Sequence, residues 1–166
     1  MSLLFDFTVD KTAKTINITR EFSASINAVW DAFTKAEILD LWVAPKPLRA
    51  QTKVMDFRVG GRWQYCMVSP EKVLGWSLAE YIAIDTLVSF TTRNCFCDED
   101  GKQLGTASSI TTTTFKEAAG ITTVNIEKKF DDLATIEMMA TNGFKEGSAM
   151  GYKNLDEYLR SQSANK

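Results

Sequence analysis

Cys95 and Cys97 flank Phe96, and a spacing of two on a strand puts both thiols on one face. Two thiolates supply half of a tetrahedral zinc site. Cys66 would be a third ligand if its strand lay alongside, and a fourth would have to be a carboxylate, because the sequence contains no histidine. Free cysteines usually behave as small buried hydrophobes, so the reading is no metal and no cofactor. The missing histidine also removes the usual general base and any Ser-His or Cys-His nucleophile pair. Asp98-Glu99-Asp100-Gly101 is acidic but lacks the ligand spacing and closing glutamate of an EF-hand, and reads as a hairpin loop. Gly60-Gly61 lacks the wider glycine pattern of nucleotide loops and reads as a turn. Proton transfer would fall to Asp56, Tyr65, Arg93 or Glu137. None of these has an activated nucleophile beside it, so no catalytic residue is assigned and the residues argue more against an enzyme than for one.

A second chemistry open to this chain is burial of an apolar small molecule. Trp42, Trp63, Tyr65, Phe90, Phe115, Met139 and Phe144 would either line a pocket or fill a core. Gly143, Gly147 and Gly151 tip the reading toward a pocket. The spacing predicts one long helix from about Asp132 to Arg160, and steps of four place these glycines on one face of it. Each glycine costs a helix roughly 1 kcal/mol relative to alanine. The helix therefore either approaches what it covers very closely or leaves empty space beneath, and Gly147 at mid-stripe would leave the largest vacancy. On the strand carrying Ser109, Thr111, Thr113 and Phe115, period-2 geometry puts all four on one face. If Phe115 points inward, the hydroxyls follow and give a cavity wall polar character; otherwise they bond neighbouring backbone or water.

The elements that would position these residues follow from the rest of the chain. Leu4 to Val9 and Ile16 to Phe22 alternate as two strands around Asp10-Lys11. Ser23 or Ser25 caps a short helix whose face is Ile26, Val29, Trp30 and Phe33, and a second covers Ala36 to Leu41. Strands follow over Thr52 to Val59, Arg62 to Val68, Trp76 to Ile84, Leu87 to Cys97, Ala107 to Glu117 and Ile121 to Phe130. Asp131 or Asp132 caps the final helix. Consecutive hairpins imply an antiparallel sheet whose apolar face needs a cover. The fold class is α+β: an antiparallel sheet covered by a long C-terminal helix, with two short helices after the first strands. Residues 1–166 read as a single domain.

The net charge of −2 is interspersed, which argues against nucleic acid or an anionic membrane as partner. No apolar run reaches the length of a membrane span, and Met1 to Asp6 lacks the pattern of a secretion signal. Three cysteines, an odd number, fit a reducing compartment. A cytoplasmic monomer or homodimer is expected.

Several blocks carry a family resemblance: Ile18 to Phe22, Val29 to Thr34, Leu41 to Pro45, Met55 to Trp63, Phe96 to Gly101, and Gly143 to Gly147 through Asn154 to Leu159. In this order they resemble the family related to the C-terminal domain of the activator of the 90-kDa heat-shock protein ATPase. That family lies within the START-like (SRPBCC, helix-grip) superfamily, and the resemblance spans nearly the whole chain. It implies a curved sheet gripping the C-terminal helix, and in many relatives a cavity between them that holds an apolar molecule. It also implies, through the family's name, a link to chaperones and the stress response. The chain departs from the family's pattern at Ile84-Asp85-Thr86, where relatives often carry a proline pair, and at the hydroxyls of Ser109, Thr111 and Thr113.

The reading adopted is non-catalytic binding of an apolar or amphipathic small molecule. Its ligand-binding residues would be Trp42, Trp63, Tyr65, Phe90, Thr111, Thr113, Phe115, Met139, Gly143, Phe144 and Gly147. Two alternatives stay open: a chaperone-activating interaction module, and an enzyme like the polyketide cyclases and aromatases of the wider superfamily.

Overall fold

The computed structural model describes residues 3–164; Met1, Ser2, Asn165 and Lys166 lie outside the described residues. Strands β1 (Phe5–Asp10) and β2 (Thr15–Phe22) form a hairpin. Helices α1 (Ile26–Thr34) and α2 (Ala36–Trp42) then carry the chain across to the opposite edge of the sheet. From there β3 (Arg49–Met55), β4 (Arg62–Val68), β5 (Val73–Asp85), β6 (Ser89–Cys97), β7 (Ser109–Ala118) and β8 (Ile121–Phe130) meander back. The last of them pairs with β2, giving one eight-stranded antiparallel sheet in the order β1-β2-β8-β7-β6-β5-β4-β3. The register slips at Thr52/Val54, Met67/Val68 and Tyr81/Ala83. Each slip adds local twist and bend, so the sheet curves toward the helices.

Local chemistry sets the helix starts. The Ser25 hydroxyl accepts from the Ala28 amide to open α1, and its apolar stripe buries Val29, Trp30 and Phe33. Trp30 meets Phe115 edge-on at 5.0 Å between ring centroids and Phe90 at 5.8 Å, so α1 is locked onto β6 and β7 through aromatic faces. The Asp132 carboxylate accepts from the Thr135 amide and hydroxyl, both at 2.8 Å.

The single helix expected from Asp132 to Arg160 is two. Helix α3 (Leu133–Thr141) ends at Asn142, Gly143 follows at φ +80°, and α4 (Phe144–Ala164) begins. A left-handed φ ends a right-handed helix, and glycine adopts it without a Cβ clash. Gly143 is therefore a corner residue and not part of a helical stripe. The third strand also differs from expectation: it runs Arg49–Met55, and residues 56–61 form the turn. Backbone closeness explains this. A Cβ on Gly61 would lie 2.1 Å from the Asp56 carbonyl oxygen, so the chain has already left the ladder and folded on itself.

Helix α4 is fastened from Gly151 to Leu159. Leu155 and Leu159 are buried, and Tyr152 packs on Phe22 and Trp42 at 6.0 and 5.9 Å. Asn154, also buried, donates through Nδ2 to the carbonyls of Trp42 (3.4 Å) and Ala44 (3.0 Å), the last turn of α2 and the chain just after it. Arg20, a buried cation on β2, pairs with Asp156 at 2.6 Å. A Cβ on Gly151 would sit 3.1 Å from the Trp42 carbonyl oxygen, whereas one on Gly147 would meet only Pro45 Cγ at 3.8 Å. Close approach explains Gly151 and open space surrounds Gly147. No helix of the described residues is long and apolar enough to cross a membrane.

The three glycines should separate in thermal denaturation. Gly147→Ala gains helix propensity without crowding and should stabilise by roughly 0.5–1 kcal/mol. Gly143→Ala forces a positive φ on a side chain and should destabilise by about 1 kcal/mol. Gly151→Leu drives a side chain into the α2 carbonyls and should destabilise by about 2 kcal/mol. Equal effects at all three would refute this assignment of roles.

Candidate functional site

Beneath the N-terminal half of α4 the sheet and helix do not meet. A cavity of about 310 Å³ lies there, partly open to solvent. Trp42, Val43 and Pro45 bound it on the α2 side, and Phe144, Gly147, Ser148, Gly151 and Tyr152 form its roof. Its floor is the inward face of β4 to β8 together with Ile18 of β2. The shape follows from the fastening of α4. The stretch that carries Gly151, Asn154 and Asp156 is held against α2 and β2, and one turn earlier Gly147 places no side chain in the space beneath it.

Most of the lining is apolar and rigid. Trp63 and Tyr65, two apart on β4, stack with centroids 3.9 Å apart and planes 15° apart, forming one flat wall. Trp63 is held through Nε1, which donates to the Thr52 hydroxyl at 3.0 Å; that hydroxyl donates in turn to Asp40 at 2.6 Å. Trp42 donates through Nε1 to the Ala32 carbonyl at 2.8 Å. Burial pushes the phenols of Tyr65, Tyr81 and Tyr152 above their ordinary range, so each keeps its proton.

Of the residues expected at a ligand site, Trp42, Trp63, Tyr65, Phe90, Thr111, Thr113, Phe144 and Gly147 border this cavity. Phe115 points inward but is consumed by packing on Trp30 and Phe33. Met139, on α3, is half-buried against the core and does not border the cavity. Gly143 is the corner described above. Thr111 and Thr113 face inward with Phe115 and are buried, whereas Ser109 lies at the strand's start and does not reach the cavity.

The other candidates for chemistry lie elsewhere. Asp56 is bonded to Arg58, Arg93 pairs with Glu80 at the surface, and Glu137 is exposed on α3. None of the three borders the cavity. Cys66 and Cys97 register with Trp76, and Cys95 with Leu78, on the sheet face turned away from the cavity. Burial raises all three thiols above their usual range, which disfavours the thiolate. Among the described residues no cluster of side chains has the composition to hold a metal ion.

One lining residue escaped the sequence reading. Lys128 on β8 projects into the cavity, where its Nζ donates to the Thr111 hydroxyl at 3.3 Å and lies 5.8 Å from the centre of the Phe144 ring. It is in phase with Val124, Ile126 and Phe130, three buried inward residues of the same strand. A lysine in that phase was the signal. Burial drives its pKa down to about 8, because an ammonium loses hydration there and, among the described residues, no carboxylate forms an ion pair with it.

This burial should be visible as a pH dependence of stability. Between pH 8 and 10.5 the unfolded lysine still binds a proton that the folded one has released, so wild-type stability rises with pH across that window. Lys128→Met should then be more stable than wild type at pH 7, on the order of 2 kcal/mol. The advantage should shrink as the pH approaches 10.5. Chemical denaturation at pH 7 and pH 10 checks both; a gap that widened with pH would refute the buried-cation account.

Comparison with known proteins agrees with this architecture. The family model described as Activator of Hsp90 ATPase homolog 1-like protein matches residues 23–160. A crystal structure of a Mycobacterium smegmatis protein superposes with a TM-score of 0.87 at 25% identity, covering 97% of this chain and 99% of that one. A solution structure from Staphylococcus epidermidis gives 0.82 at 26% identity, over 93% and 94% of the two chains. One from Arthrobacter aurescens gives 0.86 at 22% identity, over 94% and 91%, and bears on the fold alone. No curated protein matches the sequence. The match over most of the chain, on a helix-grip fold with two early helices and a final helix over a curved sheet, places this protein in the Activator of Hsp90 ATPase homolog 1-like family.

Proposed function

We propose that this protein binds an apolar or amphipathic small molecule in the cavity under α4, without transforming it. The observation that carries the reading is the cavity itself: about 310 Å³ of space, bounded mainly by aromatic and aliphatic side chains, with Trp42 and Trp63 held through their indole N–H groups. That volume lies at the lower end of the range of small-molecule sites. Burying about 200 Å² of apolar ligand surface would contribute about 5 kcal/mol before the cost of association. The non-catalytic part of the proposal rests on the positions of Asp56, Arg93 and Glu137, which lie away from the cavity, and on the phenols, which stay protonated. The sheet curvature and the crossover through α1 and α2 serve this function by holding α4 off the floor at one end only.

The test is Gly147→Leu. A leucine there enters open space rather than packed atoms, so the fold should survive and the cavity should fill. Titrating the neutral fluorophore N-phenyl-1-naphthylamine should show at least a ten-fold loss of affinity, with a melting midpoint close to that of wild type. Unchanged probe binding in a folded variant would overturn the proposal.

A further inference from the structure

Four of the cavity's polar side chains are neighbours on its floor. In the sheet register Lys128 faces Thr111, and Thr111 faces Thr92. Asn94 follows Thr92 two residues along β6, and all four side chains border the cavity. They form one band crossing β8, β7 and β6. Within it the Lys128 ammonium donates to the Thr111 hydroxyl at 3.3 Å, and the Thr92 hydroxyl donates to Asn94 Oδ1 at 2.7 Å. Those bonds occupy acceptors. Donor capacity is left free beside the space: the other N–H bonds of Lys128, the hydroxyl proton of Thr111 and the Nδ2 group of Asn94. No carboxylate among the described residues pairs with the lysine. Donors gathered around a cation, in a chamber lined mainly by apolar side chains, match a ligand with an anionic head and an apolar body.

We infer that the cavity selects amphipathic monocarboxylates, with the ligand carboxylate seated on Lys128 and the Thr111 and Asn94 donors, and its apolar body against Trp63, Tyr65 and Phe144. The inference rests on the proposed small-molecule function and gives it a ligand class. A buried ammonium can be relieved in two ways, by losing its proton or by gaining an anion. A bound carboxylate supplies the second. The same head group occurs on straight-chain fatty acids and on fused-ring aromatic acids. The flat Trp63–Tyr65 wall, with ring planes 15° apart, offers a stacking surface to the second.

Isothermal titration of the full chain with matched probes tests this: decanoate, decanol and decylamine for the straight chain, and 2-naphthoate with 2-naphthalenemethanol for the fused ring. A charge-assisted contact in a partly buried site corresponds to roughly ten- to a hundred-fold in affinity. Wild type should bind at least one carboxylate ten-fold or more tightly than its alcohol, and should reject decylamine. Whichever acid shows the larger preference identifies the source class. In Lys128→Met the carboxylate-to-alcohol ratio should fall to about one, and in Asn94→Leu it should fall partway. Alcohols binding as tightly as acids in wild type, or a ratio unchanged in Lys128→Met, would overturn the anion inference while the apolar cavity stands. No binding of any probe to wild type would overturn the small-molecule proposal itself. The wild-type ratio needs no variant, so the inference is decided even if a substitution prevents folding.

Discussion

Everything about the cavity depends on how unevenly α4 is attached. Its middle, from Gly151 to Asp156, is pinned by three kinds of contact at once. Asn154 bonds the carbonyls of Trp42 and Ala44, Arg20 pairs with Asp156, and Gly151 lets the backbone of α2 come within van der Waals reach. Buried polar groups such as Asn154 and Arg20 are expensive to leave without partners, so these bonds specify one placement of the helix rather than merely adding to its stability. The N-terminal half has no comparable fastening to the floor. It is propped at Phe144, whose ring meets Phe7 at 6.0 Å, and is set at its angle by the Gly143 corner. A helix held at one end and propped at the other makes an opening between itself and a curved sheet.

Sheet curvature supplies the other half of the geometry. The bulges in β3 and β5 fall on the side of the sheet remote from β1 and β2. That side carries the Trp63–Tyr65 stack, so bending brings the flat aromatic wall up toward α4. Helices α1 and α2 connect β2 to the far edge strand, and the end of α2 becomes the anchor for α4. One crossover thus closes the core through Trp30 and Phe33 and positions the roof through Trp42 and Ala44.

The polar band is the feature that makes this chamber more than a packing defect. A void left by imperfect packing is lined by apolar groups. Here three strands each turn a hydrogen-bonding side chain toward the same space: Lys128 from β8, Thr111 from β7, and Thr92 with Asn94 from β6. Lys128 is held where solvation is poor enough to bring its pKa to about 8. Maintaining a cation there opposes stability. Membership of the Activator of Hsp90 ATPase homolog 1-like family fixes the scaffold; the polar band is set by these few side chains.

The sequence by itself determined the architecture. Period-2 alternation, the Gly60-Gly61 and Ala119-Gly120 turns and the Ser25 and Asp132 caps are local signals, written within a few residues of the structure they produce. They were enough to place the strands along the chain and the two early helices and to expect a final helix over the sheet, whereas the pairing of β2 with β8 came from the tertiary structure. Tertiary structure decided what each glycine and each inward side chain does. Equal spacing in sequence conceals three environments: a turn at Gly143, open space at Gly147 and a backbone contact at Gly151. Phe115 and Phe90 look alike in the chain, yet one is spent on Trp30 and Phe33 while the other also borders the cavity. Lys128 was in phase with a buried face all along. Its meaning arises only when β7, β6 and α4 enclose it, because desolvation and the want of a carboxylate are properties of neighbours brought together across the fold and leave no trace in local sequence.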